Sequence, residues 1–201
     1  MKRTTRNAVR TKQEIIAKAA PIFNVYGYAG SKMQLIVAAT GFQKGGIYCH
    51  FDSKLDLAKA AFLYNCSLLE KAYLKKINPA DSPRKQLLQF FENYRNFIAR
   101  PTIKGGCPIM NTATEVDDTN KEFRLLAKSA LKTLSLRIEA ILQAGKESGD
   151  FRATIDPQKE VNFFFATLEG AIMIAKLHHQ KRSFTDTFDR LLLYLEQNIL
   201  V

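Results

Sequence analysis

Between residues 31 and 54 the chain gathers side chains that donate hydrogen bonds: Ser31, Lys32, Gln43, Lys44, Tyr48, His50 and Lys54. Ammonium, hydroxyl and imidazole donors suit phosphate oxygens, whereas glutamine or lysine can also reach the edge of a base. Residues 1–60 carry ten Lys and Arg against three Asp and Glu, a balance of +7. The other 141 residues carry twenty against sixteen, or +4. The cationic excess therefore sits with the donors, as phosphate binding requires. A merely soluble basic surface would account for the charge, but not for the spacing described below.

Other chemistries find less support. His50 has no second ligand at helical spacing, so no metal site is expected. Cys49, Cys66 and Cys107 form neither a zinc spacing nor an even disulfide set, which points to a reducing, cytoplasmic setting. Cys107 with His178 or His179 is the one conceivable cysteine enzyme. No base stands at motif spacing, however, and no nucleotide-binding, metal or cofactor motif accompanies the pair. The expectation is a protein that is not an enzyme and uses no cofactor. The longest apolar stretch, residues 163–177, contains Glu169 and Lys176 and reads as a buried helix, not a membrane span. The opening Met-Lys-Arg-Thr-Thr-Arg has no apolar core behind it and does not read as a secretory signal.

The pattern also specifies the scaffold that must hold the donors. The apolar run Met33-Leu35-Ile36-Val37-Ala38-Ala39 predicts a helix over 31–40, with Ser31 near its N-cap. Thr40-Gly41-Phe42 predicts a tight turn, because glycine enters positive φ without steric cost. A short helix over 44–51 follows. Ser53 and Asp56 then make a capping-box arrangement at the head of a helix over 53–77. Two helices joined by a glycine-containing turn of three or four residues form a helix-turn-helix, whose second helix can lie in the DNA major groove.

Helical periodicity runs through the rest of the chain, so the fold class expected is all-α with about nine helices. A first helix over 11–26 places Ile15, Ile16, Ala19, Ala20 and Phe23 on one face, with Pro21 inside it and Gly27 as C-cap. Residues 1–10 are expected to be a mobile basic arm. Asn78–Pro83 is the clearest break in the chain. Beyond it, helices are expected over 83–99, 108–116, 120–147, 157–178 and 183–200. Ser82 and Asp156 serve as caps, and Pro83 and Pro157 take first helical positions.

The stretch from residue 27 to 57 resembles the DNA-binding region of the tetracycline-repressor (TetR) family. The matching residues are Gly27, Tyr28, Ser31, Met33, Ile36, Ala39, Gly41, Lys44, Gly45, Ile47, Tyr48, His50, Phe51, Lys54 and Leu57. Leu35, Val37 and Gly46 depart from the family's usual Asp, Ala and Thr or Ser, and Gly46 takes a hydroxyl off the recognition helix. The resemblance implies an N-terminal three-helix DNA-binding domain over 1–54 and a ligand-binding and dimerisation domain over 55–201, linked by the helix over 53–77. It implies DNA contacts from Ser31, Lys32, Gln43, Lys44, Gly45, Tyr48, His50 and Lys54. Gln43 and Lys44 are the expected base readers, and Tyr48, His50 and Lys54 the phosphate contacts. Phe51 reads as core.

For the C-terminal part the resemblance implies a pocket for a small-molecule inducer, with Tyr94, Cys107, Met110, Glu115, Phe165 and Glu169 as candidate lining. Plain core packing competes with that reading for most of them. It also implies a homodimer joined through the last two helices, with Gly170, Phe184, Phe188, Leu191, Leu192 and Leu195 at the seam. The expected partners are a double-stranded palindromic operator, an inducer and a second copy, with no membrane. Gly105 to Glu115 resembles a Gly-Cys-Pro-x-x-Asn-x-x-x-Glu pattern from one branch of these regulators. Cys107 begins a helix near Lys104, a setting that lowers a thiol's pKa, so an electrophile or redox sensor is the alternative function. A ligand-binding relative that has lost DNA binding is a further alternative, which Tyr48, His50 and Lys54 argue against.

Overall fold

The computed structural model describes residues 2–116, 118–180 and 182–201. They form α1 (Lys2–Gly30), α2 (Met33–Thr40), α3 (Lys44–Tyr48), α4 (Lys54–Tyr73), α5 (Pro83–Ala99), α6 (Pro108–Val116), α7 (Lys121–Ser148), α8 (Pro157–His178) and α9 (Arg182–Tyr194). A π-helical turn, Leu195–Ile199, follows α9 directly. Among the described residues, β contact is limited to an isolated bridge between Phe151 and Leu200, so the fold is all-α. No helix among them is long and apolar enough to cross a membrane.

The chain groups into two compact units, Met1–Leu69 with Thr102–Lys128, and Glu70–Pro101 with Ser129–Val201. This grouping differs from the division at 54/55 expected from the sequence, because α6 returns to α1. The contacts behind it are specific. Asn111 Nδ2 donates to the Asn24 carbonyl at 3.1 Å and to the Gly105 carbonyl at 3.0 Å. Asn24 Nδ2 donates to the carbonyls of Lys104 at 2.6 Å and Gly106 at 3.0 Å.

The core of the first unit is built on the predicted face of α1. Ile15, Ile16, Ala19, Ala20 and Phe23 are all buried, together with Ile36, Ile47, Phe51, Leu57, Ala58, Ala61 and Phe62 from α2 to α4. Asn65 Nδ2 donates to the Ala20 carbonyl at 3.0 Å, fixing α4 on α1. Residues 2–10, expected as an arm, are helical and continuous with α1, and residue 1 lies outside the described residues. At the other end α1 does not stop at Tyr26. Gly27 interrupts it with φ 69° and ψ 176°, and a last turn runs to Gly30.

The second unit is dominated by aromatic packing. Tyr73, Phe90, Tyr94 and Phe97 are buried in one cluster, with Tyr73 and Tyr94 stacked at 4.4 Å between ring centroids. Phe165 meets Phe90, and Phe91 meets both Phe164 and Phe188, in edge-to-face geometry. Such pairs add about 0.5–1.5 kcal/mol each beyond their burial. The expected caps hold. Ser82 Oγ accepts from Lys85 N–H at 3.3 Å, and Asp156 Oδ1 accepts from Gln158 N–H at 3.1 Å and Lys159 N–H at 3.3 Å. The ninth helix leaves α geometry at Leu195, earlier than the periodicity implied, and Leu200 is extended where it bridges Phe151.

Candidate nucleic-acid interface

The turn between α2 and α3 is made as its residues predict. Gly41 adopts φ 76° and ψ 4°, and its N–H donates to the Val37 carbonyl at 2.9 Å. Thr40 is buried and its Oγ1 accepts from Phe42 N–H at 3.3 Å. Lys18 on α1 donates to the Thr40 carbonyl at 3.1 Å, placing a cation on the carbonyl end of α2, where the helix dipole favours it.

α3 is held from beneath by a single buried side chain, Ile47, with Phe51 just beyond its end. Everything else on it faces outward. Gln43, Lys44, Gly45, Gly46, Tyr48 and Cys49 are exposed, and His50 is half-buried. Tyr48 retains 37% of its surface and is not core, whereas Phe51 is core. Lys44 Nζ lies 6.0 Å from the Tyr48 ring centroid, which keeps the two on one face. Nothing stands within 4 Å of where a Cβ would be on Gly45 or Gly46, so backbone is bare there and a partner can approach closely.

Two expected contacts take different positions. Ser31 is 0% exposed, its Oγ donates to the Gly27 carbonyl at 2.5 Å and the Ile22 carbonyl at 3.3 Å, and it does not cap α2. Lys32 occupies the cap position without a side-chain cap bond and is exposed. Ser31 therefore seals the α1–α2 junction, with its hydroxyl turned to protein carbonyls. Lys54 is half-buried; its Nζ donates to the Tyr28 carbonyl at 2.6 Å and lies 4.5 Å over the Tyr28 ring. Burial lowers its pKa, opposed by the negative charge of Glu115. Half of the expected capping box forms behind it: Ser53 Oγ accepts from Asp56 N–H at 3.1 Å, while Asp56 Oδ2 accepts from the Ser53 hydroxyl at 2.9 Å in place of the backbone N–H that would close the box.

The six expected pocket residues fall into two groups. Tyr94, Phe165 and Glu169 lie in the second unit, where the Tyr94 hydroxyl donates to Glu169 Oε1 at 2.9 Å. Cys107, Met110 and Glu115 lie in the first unit. Glu115 is engaged by backbone: its carboxylate accepts from Tyr28 N–H at 2.8 Å and Ala29 N–H at 2.9 Å. It also borders a cavity of about 20 Å³ with Phe23, Asn24, Tyr28, Asn65, Thr112 and Phe123. That volume suits about one water molecule, not an organic ligand. Cys107 is buried at the start of α6.

The residues expected at the seam divide by their burial. Phe184, Phe188, Leu191 and Leu195 are buried within the protomer, because the apolar stripe of α9 faces α8. Leu192 is half-buried and lines an open groove of about 530 Å³ with Leu88, Phe91 and Arg95. On these two helices the exposed large apolar side chains are Phe163, Met173, Ile174 and Leu177 of α8 and Leu193 of α9. Phe163, Gly170, Ile174 and Leu177 fall at helical spacing, i, i+7, i+11 and i+14, so they share one stripe of α8. A buried helix read from composition alone hides this stripe, since both of its faces are apolar.

Known proteins agree with this geometry at both ends of the chain. Residues 15–61 match the family profile described as "Bacterial regulatory proteins, tetR family". Residues 83–191 match "Tetracyclin repressor-like, C-terminal domain". The crystal structure of a TetR transcriptional regulator from Chloroflexus aurantiacus J-10-FL superposes with a TM-score of 0.92 at 34% identity, covering 98% of this chain and 99% of that one. The transcriptional regulator AcuR of Cereibacter sphaeroides is 29% identical over 82% of this chain and 77% of its own length. The transcriptional repressor DhaR of Mycobacterium sp. (strain GP1) is 26% identical over 85% of this chain and 84% of its own.

Proposed function

The chain belongs to the TetR family of transcriptional regulators, and we propose that it is a homodimeric, cytoplasmic repressor released from a palindromic operator by a small-molecule inducer. The observation that carries this reading is the outward face of α3. One buried residue, Ile47, anchors a helix whose remaining side chains and bare glycines all face solvent. In this reading Gln43 and Lys44 reach base edges, Gly45 allows close approach, and Lys32, Tyr48 and His50 contact phosphates. Lys54 acts from behind, by holding Tyr28.

A second copy docks through the exposed stripe of α8 around Gly170 and presents a second α3 about 34–36 Å away, one turn of B-DNA. The inducer is taken by the aromatic second unit, in which Tyr94 and Glu169 are a placed polar pair among apolar rings. It acts by preferring a conformer in which the two reading helices no longer match successive grooves. The burial of Cys107 favours a packing role over thiol sensing.

Selection of bound duplexes from a random pool, with and without candidate small molecules, tests the reading. A two-fold symmetric enriched sequence whose recovery falls with one class of molecule is the expected result. Absence of any enriched sequence at moderate ionic strength would sink it.

A further inference from the structure

The Gly105–Glu115 motif has a physical purpose that neither DNA contact nor a ligand pocket absorbs. Gly27 breaks α1, and a new turn begins at Tyr28. The first N–H groups of any helical turn lack an acceptor four residues back. Here both open amides, Tyr28 and Ala29, donate to the two oxygens of one carboxylate, Glu115 on α6. Bonds from amides to an ionised acceptor are about twice as strong as neutral ones, and the positive end of a turn favours the charge. A Cβ on Gly27 would stand 2.5 Å from Glu115 Oε2, so that glycine is what lets the carboxylate reach the amides. Lys54 grips the same residue from the opposite polarity, donating to the Tyr28 carbonyl. Asn111, one turn earlier on the same face of α6, holds the Asn24 carbonyl.

We propose that Glu115 is the positioning residue of the DNA-reading unit: through the Tyr28 and Ala29 amides it fixes the direction in which the chain leaves α1 for α2, and with α2 the pitch of α3. This rests on the reading of α3 as the groove-entering helix. α2 begins at Met33, only a few residues beyond the gripped amides, so little chain is left to absorb an error. Movement of α6 by the length of one hydrogen bond opens both amides at once, which makes Glu115 the residue through which the position of α6 is felt at the interface.

The test uses the duplex selected by the wild-type protein. Glu115→Gln puts an NH₂ group where one of two N–H groups needs an acceptor. The expected result is a dissociation constant raised on the order of tenfold, with relaxed sequence selectivity. The salt dependence should stay unchanged, because no phosphate contact is lost. Adding Lys54→Met should cost little more than Glu115→Gln alone, as both act on Tyr28. Hydrogen exchange of the wild type should show the Tyr28 and Ala29 amides protected. A folded Glu115→Gln protein with wild-type affinity and selectivity overturns the proposal, as does an affinity loss that comes with a flatter salt dependence. If that variant does not fold, rapid exchange of both amides in the wild type overturns it, and protection that a folded Glu115→Asp variant loses along with selectivity supports it. Failure of the wild type to select any sequence removes the DNA reading itself, a different result from any of these.

Discussion

A lysine whose ammonium rests on a carbonyl and over a ring differs from one that ends in solvent. Lys54 is of the first kind, whereas Lys44 is exposed and has the Tyr48 ring 6.0 Å away but no carbonyl bond to hold it. Lys44→Ala is expected to weaken binding to the selected duplex and reduce the salt slope by about one, whereas Lys54→Met should weaken binding without changing that slope. Gln43→Ala should alter which base is preferred, by about 1–3 kcal/mol at one position, read by competition between duplexes. The cysteines separate on similar grounds. Cys49 is exposed at the end of α3, Cys107 is buried, and burial pushes the Cys66 thiol up to about 12. A small alkylating reagent at pH 8 is expected to label Cys49 first, seen by peptide mass spectrometry, because reaction needs an accessible thiolate. Cys66 also fixes a sign. Between the ordinary thiol value of 9.0 and about 12 the unfolded chain has lost a proton that the folded chain keeps, so stability falls as pH rises through that window. Urea unfolding at pH 8, 10 and 11 should show a shallower decline for Cys66→Ala than for the wild type.

At the scale of elements, what could be read in advance were the helices that carry their own end signals. Ser82-Pro83 and Asp156-Pro157 placed the starts of α5 and α8, and Gly41 placed the end of α2, because caps and positive-φ turns are local. Asp156→Ala is accordingly expected to cost about 1 kcal/mol in urea unfolding. Gly41→Ala should cost a similar amount from backbone strain alone, since a Cβ there meets no neighbour within 4 Å. Ser31 was misread because a serine before a helix is both a cap candidate and a small buried donor. Only the distant Ile22 carbonyl, together with the break at Gly27, decides between them. The backbone partners of Glu115 were illegible for the same reason at longer range. Its partners are amides 86 and 87 residues away, which no periodicity encodes. The one local trace was that Asn111 and Glu115 stand four apart and so share a helix face.

For the whole molecule the open matter is what covers α8. The resemblance put Phe184, Phe188, Leu191 and Leu195 at a seam, but their spacing on α9 does not say whether they face a partner or their own neighbour. All four are buried within the protomer. On α8 itself an apolar side remains uncovered, where Leu177 is 72% exposed and Met173 49%. Isolated exposed apolar residues are ordinary in a monomer, and a stripe that repeats at helical spacing along one helix is what the proposed docking of a second copy would cover. Gly170 lies within that stripe with no atom within 4 Å of its missing Cβ, so a second helix can approach closely there. In a two-fold dimer one substitution is presented twice, and each charge faces its own symmetry mate or another apolar side chain. Ile174→Asp is therefore expected to shift sedimentation from dimer to monomer at micromolar protein while leaving helicity intact. Leu192→Asp, in the groove beside α5, should not. The monomer should still bind a half-site through its α3 but lose the extra affinity of a correctly spaced pair, a loss of about 10²-fold or more if linkage is rigid. A dimer that survives Ile174→Asp but is split by Leu192→Asp would move the interface to the α5–α9 groove.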